Sequence, residues 1–251
     1  MPPWTYLLLF FAGLAGGFID AIAGGGGLIT VPALLAAGLP PGIALGTNKF
    51  QSSFGTSMAV SRFLKAGLLK MEGMRIAVVL AFAASMAGAF AVSVLDKDLL
   101  KRVIPWMLAA VAVYTAVNRR FGLQRGERKM APMVFATVFG LALGFYDGFF
   151  GPGTGSFWTV ALVTLLGSDL REATGYTKAA NLASNAGALV VFLAGGSVHF
   201  AVGAVMIAGQ LLGARAGASL AIRRGAGVIR PVFLTVVFAM TVKLLWDAWG
   251  R

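Results

Sequence analysis

The chain has 251 residues, 58% of them hydrophobic and 12% charged, with a mean hydropathy of +0.84 and a net charge of +12. A soluble domain has about a quarter of its residues charged, so this composition excludes one and points to a membrane chain. Cysteine is absent, which excludes a disulfide framework, a thiol nucleophile and a thiolate metal site.

Residues 5–23 form the first long apolar run. About 20 apolar residues cross a hydrocarbon core of roughly 30 Å, so the run predicts a transmembrane helix ending near Asp20. Ala21-Ile22-Ala23 has the small residues of a signal-peptide cleavage site, yet no Lys or Arg precedes Lys49, so the basic start of such a peptide is missing. A glycine break at 24–27 separates this run from a short apolar segment, 28–38. A helix of that length rises about 16 Å, roughly half a bilayer. After a turn at Leu39-Pro40-Pro41-Gly42 comes a polar helix with Thr47, Asn48, Lys49, Gln51, Ser52, Ser53 and Thr56. A helix this polar cannot face lipid and must line a cavity. Two ordinary helices are predicted over 76–95 and 103–118, followed by the longest polar loop, 119–130.

The pattern then starts again. Gly13, Gly17, Phe18, Asp20 and Gly24 match Gly140, Gly144, Phe145, Asp147 and Gly151 at an offset of 127. The break recurs at 151–155 with one residue gained, and a second half-helix follows over 156–166. After the turn Gly167-Ser168-Asp169, Gly46-Thr47-Asn48-Lys49 matches Gly175-Tyr176-Thr177-Lys178 at an offset of 129. The second polar helix, 173–194, carries Asn181, Ser184 and Asn185 beside Lys178, and apolar runs at 200–222 and 231–242 close the chain. The expected fold is therefore all-α and polytopic: one membrane domain over 1–251, with repeat one at 1–118, a basic loop at 119–130 and repeat two at 131–251. Each repeat has four long helices plus a half-helix. Internal duplication of this kind is common in secondary transporters.

Basic residues give the orientation. Counting each half-helix as a crossing puts thirteen Lys and Arg on one face and four on the other; counting it as a re-entrant hairpin gives ten against seven. The positive-inside rule favours the first count. Five segments per unit then make the repeats inverted, with the loop cytoplasmic and both termini periplasmic. The same rule, with anionic lipid, accounts for the net positive charge without nucleic acid.

Ionisable groups inside a membrane segment cost about 2.5–3.5 kcal/mol each on insertion scales, so each needs a reason. Lys243, beside Trp246, and Arg215 are placed to snorkel, and Gly209, Gly213 and Gly217 form a small-residue stripe beside Arg215. Gly140, Gly144 and Gly148 form another, suited to packing within or between subunits of a homo-oligomer. Lys49 and Lys178 admit two readings: they supply charge to an anion site, or they neutralise Asp20 and Asp147. The predicted substrate set is Lys49, Lys178, Asn48, Thr47, Thr177, Asn181 and Gln51, with backbone from Gly25, Gly26, Gly153 and Gly155. Half-helix N-termini at the breaks favour anions through free N–H groups. Asp20 and Asp147 are the coupling or structural carboxylates. No catalytic residue, metal ligand or cofactor is assigned.

The segment 17–49, GFIDAIAGGGGLITVPALLAAGLPPGIALGTNK, resembles the first-repeat motif of the TauE/SafE family of sulfite exporters and related sulfonate and organic-anion permeases. Residues 144–196, with TGYTKAANLASNAGALVVFLAGG, resemble its second motif, and GQLLGARAG at 209–217 is also similar. The resemblance covers nearly the whole chain. It implies a bacterial inner-membrane permease for sulfite or another small, often sulfur-containing anion. Two readings from other classes stand beside it. One is an intramembrane protease with Asp20 and Asp147 as its dyad, although no Gly-x-Gly-Asp occurs. The other is a cation or metal carrier, for which the one histidine, His199 at a loop edge, is a sparse ligand set.

Overall fold

The computed structural model describes residues 2–69, 74–92, 123–151 and 153–249. The helix expected over 103–118 and the end of the one at 76–95 lie outside them. Among the described residues the regular elements are all α-helices. They are α1 (Pro3–Ala23), α2 (Gly27–Ala36), α3 (Pro41–Lys65), α4 (Arg75–Ala91), α5 (Pro132–Phe149), α6 (Thr154–Leu165), α7 (Leu170–Ala194), α8 (Phe200–Arg224) and α9 (Ala226–Trp249).

Local chemistry sets their ends. Proline opens α1, α3 and α5 at the first turn, where its missing N–H costs nothing. Gly24 ends α1 at φ 79°, and its N–H donates to the Asp20 carbonyl. Gly153, at φ 86°, precedes α6. Asp169 caps α7 by accepting from Glu172 N–H, and His199 Nδ1 caps α8 by accepting from Val202 N–H. The loop-edge histidine thus serves a helix end.

Helices α1, α5 and α8 are long and apolar enough to cross a membrane. The polar faces of α3 and α7 lower their hydropathy, yet both are 25 residues long, and Thr47, Asn48, Lys49, Thr177, Lys178 and Asn181 are buried. The outer surface is an apolar belt with Leu7, Leu8, Phe11, Val134, Val138, Leu212 and Phe238 exposed. In water such a belt would be a liability; in lipid it is the matched surface.

Small residues bring the long helices together. A Cβ at Gly209, Gly213 or Gly217 would collide with the backbone of Phe10, Leu14 or Phe18 respectively, so α1 and α8 run parallel with their backbones in contact. Gly140, Gly144 and Gly148 meet Ala77, Ala81 and Ser85 in the same register, so α4 and α5 also run parallel. Both stripes therefore pack inside the chain. Along α8, Gly203, Gln210 and Ser219 meet Phe50, Gly55 and Arg62, which makes α3 parallel to α8 and hence to α1. Between α1 and α3, α2 turns back along α1: Thr30 lies against Gly16, and Leu34 clusters with Leu9. The half-helix thus returns the chain to the side from which α1 set out. Against α3, α7 is antiparallel, with Gly46 near Phe192, Lys49 near Asn185 and Phe63 near Gly175.

Candidate functional site

The breaks that end α1 and α5 touch. A Cβ on Gly24 would lie 2.6 Å from Gly155 Cα, and one on Gly155 would lie 2.5 Å from Gly24 Cα. Only glycine at both positions lets the two backbones approach this closely. The antiparallel pair α3 and α7 flanks this contact and carries the lysines.

Lys49 and Lys178 are 4% and 0% exposed. A charge this deep is tolerated only when paired and hydrogen-bonded, and both are. Lys49 Nζ lies 3.0 Å from Asp147 Oδ2 and donates to Asn185 Oδ1 at 3.1 Å. Lys178 Nζ lies 3.3 Å from Asp20 Oδ2 and also donates to the Asp20 carbonyl. The pairing is crossed: each lysine finds the aspartate from the other half of the sequence. The second contact of Lys178 places a cation on a carbonyl at the C-terminal end of α1, where the helix dipole favours one.

The two pairs differ in support. Asp147 also accepts from Thr154 Oγ1 at 3.0 Å and from Ser184 Oγ at 2.5 Å, so three side chains hold its carboxylate. At the 129-residue offset, Gly55 stands where Ser184 does, and its backbone is packed under Gln210. Among the described residues no hydroxyl therefore reaches Asp20 in the same way, and its side chain is 20% exposed against 7% for Asp147.

A cavity of about 40 Å³ opens between the breaks. A water needs about 10–15 Å³ by this measure, so the space holds a small cluster of waters or an ion of like size. Asp20, Lys49 and Asp147 line it with Asn48, Ser52, Asn181, Asn185 and Thr154, and Gly24, Gly27, Gly151, Gly153 and Gly155 contribute backbone. Val31, Leu45 and Phe150 complete the wall. The first turns of α2 and α6 border it through Gly27, Thr154 and Gly155; there the N–H groups of Leu28, Ile29, Thr154 and Ser156 already donate to the carbonyls of Gly25, Gly26, Gly151 and Gly153. Asn181 Oδ1 is buried without a hydrogen-bond partner among the described residues.

Of the predicted set, Lys49, Asn48, Asn181, Gly153 and Gly155 line this cavity, as do both aspartates. Lys178 does not; it stands behind Asp20. Thr47 accepts from His199 N–H, Thr177 pairs with Thr159, and Gln51 Nε2 donates to Asn48 Oδ1 and Ser52 Oγ. Gly25 packs on Val236 and Gly26 on the Gly16 backbone. Ser52, Thr154, Asn185, Gly24, Gly27 and Gly151 are the polar and glycine lining positions that sequence reasoning left out of the substrate set. Three of them had a signal: Ser52 lies 129 residues before Asn181 and Gly24 lies 127 before Gly151, so the repeat relates residues that share the cavity.

The sequence pattern of the family described as sulfite exporter TauE/SafE matches residues 9–244. The "probable membrane transporter protein YfcA" of Escherichia coli strain K12 is 41% identical over 244 residues, covering 97% of this chain and 91% of that protein. A "probable membrane transporter protein" of Haemophilus influenzae is 39% identical over 240 residues, 96% of this chain and 94% of its own length. The "probable membrane transporter protein ORF9" of a Sinorhizobium species is 41% identical over 239 residues, 95% of this chain and 92% of its own. No solved structure gives a significant match.

Proposed function

Since the chain belongs to the TauE/SafE sulfite exporter family, a family of membrane transporters and not of enzymes, we propose that it is a bacterial inner-membrane permease for a small anion. The favoured substrates are sulfite and small organosulfonates or other organic anions, moved by alternating access around the cavity between the helix breaks. The observation that carries this reading is Lys49, a buried ammonium on the cavity wall among amides and hydroxyls, with the two wall carboxylates, Asp147 and Asp20, each held by a lysine. The ammonium, amides and hydroxyls can replace the hydration of an anion. Lys178 acts one layer back, through Asp20.

Inverted repeats are the proposed frame. Parallel α1 and α8 correspond to parallel α5 and α4 when the halves are exchanged, and the ion pairs cross in the same sense. The return of α2 along α1 favours ten segments over eight, because α3 then runs with α1. With the basic loop cytoplasmic, the termini are periplasmic. The cell interior is negative, so an anion leaving gains about 2.3 kcal/mol per charge per 100 mV. That favours export.

The aspartate-dyad reading loses its premise, since each carboxylate holds its own ammonium rather than sharing a proton with the other. The cation-carrier reading has Asp20, Asp147 and the Asn181 Oδ1 on the cavity wall, but each carboxylate is already held by a lysine, and the described residues contain no cluster of three metal-ligating side chains.

The test is flux of labelled sulfite, sulfonates and carboxylates in proteoliposomes under an imposed potential. Potential-driven movement of one anion that is lost on Lys49→Ala supports the permease. Folded protein that moves no anion, with or without a pH gradient, overturns it.

A further inference from the structure

A second cavity lies where the loop after residue 122 meets the α6–α7 turn. At about 200 Å³ it is several times the size of the inner one. Arg125, Arg128, Glu172, Ser168 and Tyr176 supply its polar wall, with Leu162 and Leu166 among its apolar residues. The arginines are not on a free tail. Gly126 N–H donates to the Gly167 carbonyl, and the Lys129 and Met130 N–H groups donate to the Leu165 carbonyl, so the loop is strapped across the end of α6. Gly167 sits at φ 69° directly under the Gly126 backbone, a place no side chain could take.

Charge at this pocket is partly latched. Arg125 forms an ion pair with Glu172 in the first turn of α7. Arg128 has no carboxylate partner among the described residues. Among the described residues one guanidinium is thus without a carboxylate, and a second is held by a carboxylate that an arriving anion can displace. Planar, five-donor guanidinium groups suit oxyanions.

Its position ties it to the inner site. Both cavities are built on α6 and α7: Leu162 and Tyr176 line the outer one, Gly155 and Asn181 the inner one. Five to seven helical residues separate these levels, about 8–10 Å of rise. Both halves close their ends with an apolar cluster at matching repeat positions, Leu34 and Ala44 in the first half and Leu162 and Ala173 in the second. What the second half adds there is charge, since Ile43 stands at the 129-residue offset where Glu172 does.

Resting on the permease reading above, we infer that this pocket is a vestibule: a second oxyanion site that gathers substrate at the loop face and passes it along α6 and α7 to the inner cavity, with Arg125–Glu172 as its latch.

The chain lacks cysteine, so Ser168→Cys in the full-length protein provides a single thiol in the pocket, and Leu166→Cys is a second probe should the first misfold. Rates of modification by anionic and cationic thiosulfonates, each normalised to free cysteine, are measured in neutral detergent with and without sulfate, which unlike sulfite does not cleave these reagents. The expected result is a several-fold preference for the anionic reagent, slowed by sulfate and abolished by adding Arg128→Gln. Equal rates and no sulfate protection overturn the vestibule. So does protection that appears only in anionic-lipid vesicles, which identifies a headgroup site. Labelling needs no transport, so sulfate protection without flux of any anion would keep the oxyanion site and sink the permease instead.

Discussion

Lys49 Nζ stands 3.0 Å from Asp147 Oδ2, joining a helix of the first half of the chain to one of the second at the wall of the central cavity. Its counterpart, Lys178 with Asp20, is looser at 3.3 Å and sits behind the wall. Two lysines that are equivalent in sequence thus have unequal positions, and this asymmetry yields most of what can be tested.

Lys49→Ala leaves Asp147 buried without its cation, a change that costs about 3–5 kcal/mol in interiors. Thermal unfolding in detergent will show a lowered midpoint, and sulfate binding at the inner cavity will be lost, measured with Arg128→Gln in both proteins so that the outer pocket does not contribute. The double variant Lys49→Ala with Asp147→Ala regains much of the stability but none of the binding. A double variant as unstable as the single one would deny the pair its structural role.

Lys178→Met acts in the opposite proportion. It removes a cation from the end of α1 and strips Asp20 of its partner, so stability falls. Anion affinity falls less than in the Lys49 variant, because Lys178 is off the cavity wall. Calorimetric titration with sulfate separates the two. Complete loss of binding in a protein of wild-type stability would place Lys178 in direct contact with substrate.

Ser184→Ala deletes one of the donors on the Asp147 carboxylate and should cost about 1–3 kcal/mol. Thr154→Val, which removes another, should cost a similar amount. Loss measured for the pair together will differ from the sum of the singles, since both act on one carboxylate. Strict additivity in a double-mutant cycle would argue against a shared network.

Gly155→Ala drives a methyl group into the Gly24 backbone, where nothing flexible can yield. Overpacking of this kind costs about 1–3 kcal/mol or more. At Gly42, in the first turn of α3, a Cβ meets nothing within 4 Å, so Gly42→Ala is neutral or slightly stabilising. Comparing yield and melting of the two variants isolates the contact between the breaks. Equal behaviour would mean that the breaks do not need to touch.

Much of the fold was legible in the residues. The half-helix expected over 28–38 is α2, Gly27–Ala36, and the one expected over 156–166 is α6, Thr154–Leu165. Hydrophobic runs and proline and glycine punctuation fix such elements because their causes are local. Polar neighbours of Lys49 and Lys178 likewise announced a lined cavity, since no lipid-facing helix tolerates them. The site was only partly legible. Thr47 and Thr177 have the chemistry of a binding site but spend their hydrogen bonds on neighbouring helices, and Gln51 spends its own on Asn48 and Ser52 of the same helix. Spacing in one helix cannot say which polar face meets a void and which meets another helix.

By itself, the sequence determined that the chain is helical and membrane-embedded, that a Gly-Asp-Lys pattern occurs twice, and that four buried charges need partners. Tertiary structure alone decided who pairs with whom. The crossed ion pairs, the contact of Gly24 with Gly155, the return of α2 and the retreat of Lys178 from the cavity all join segments far apart in the chain. Such contacts follow from how helices pack on their small-residue faces, which no local periodicity encodes.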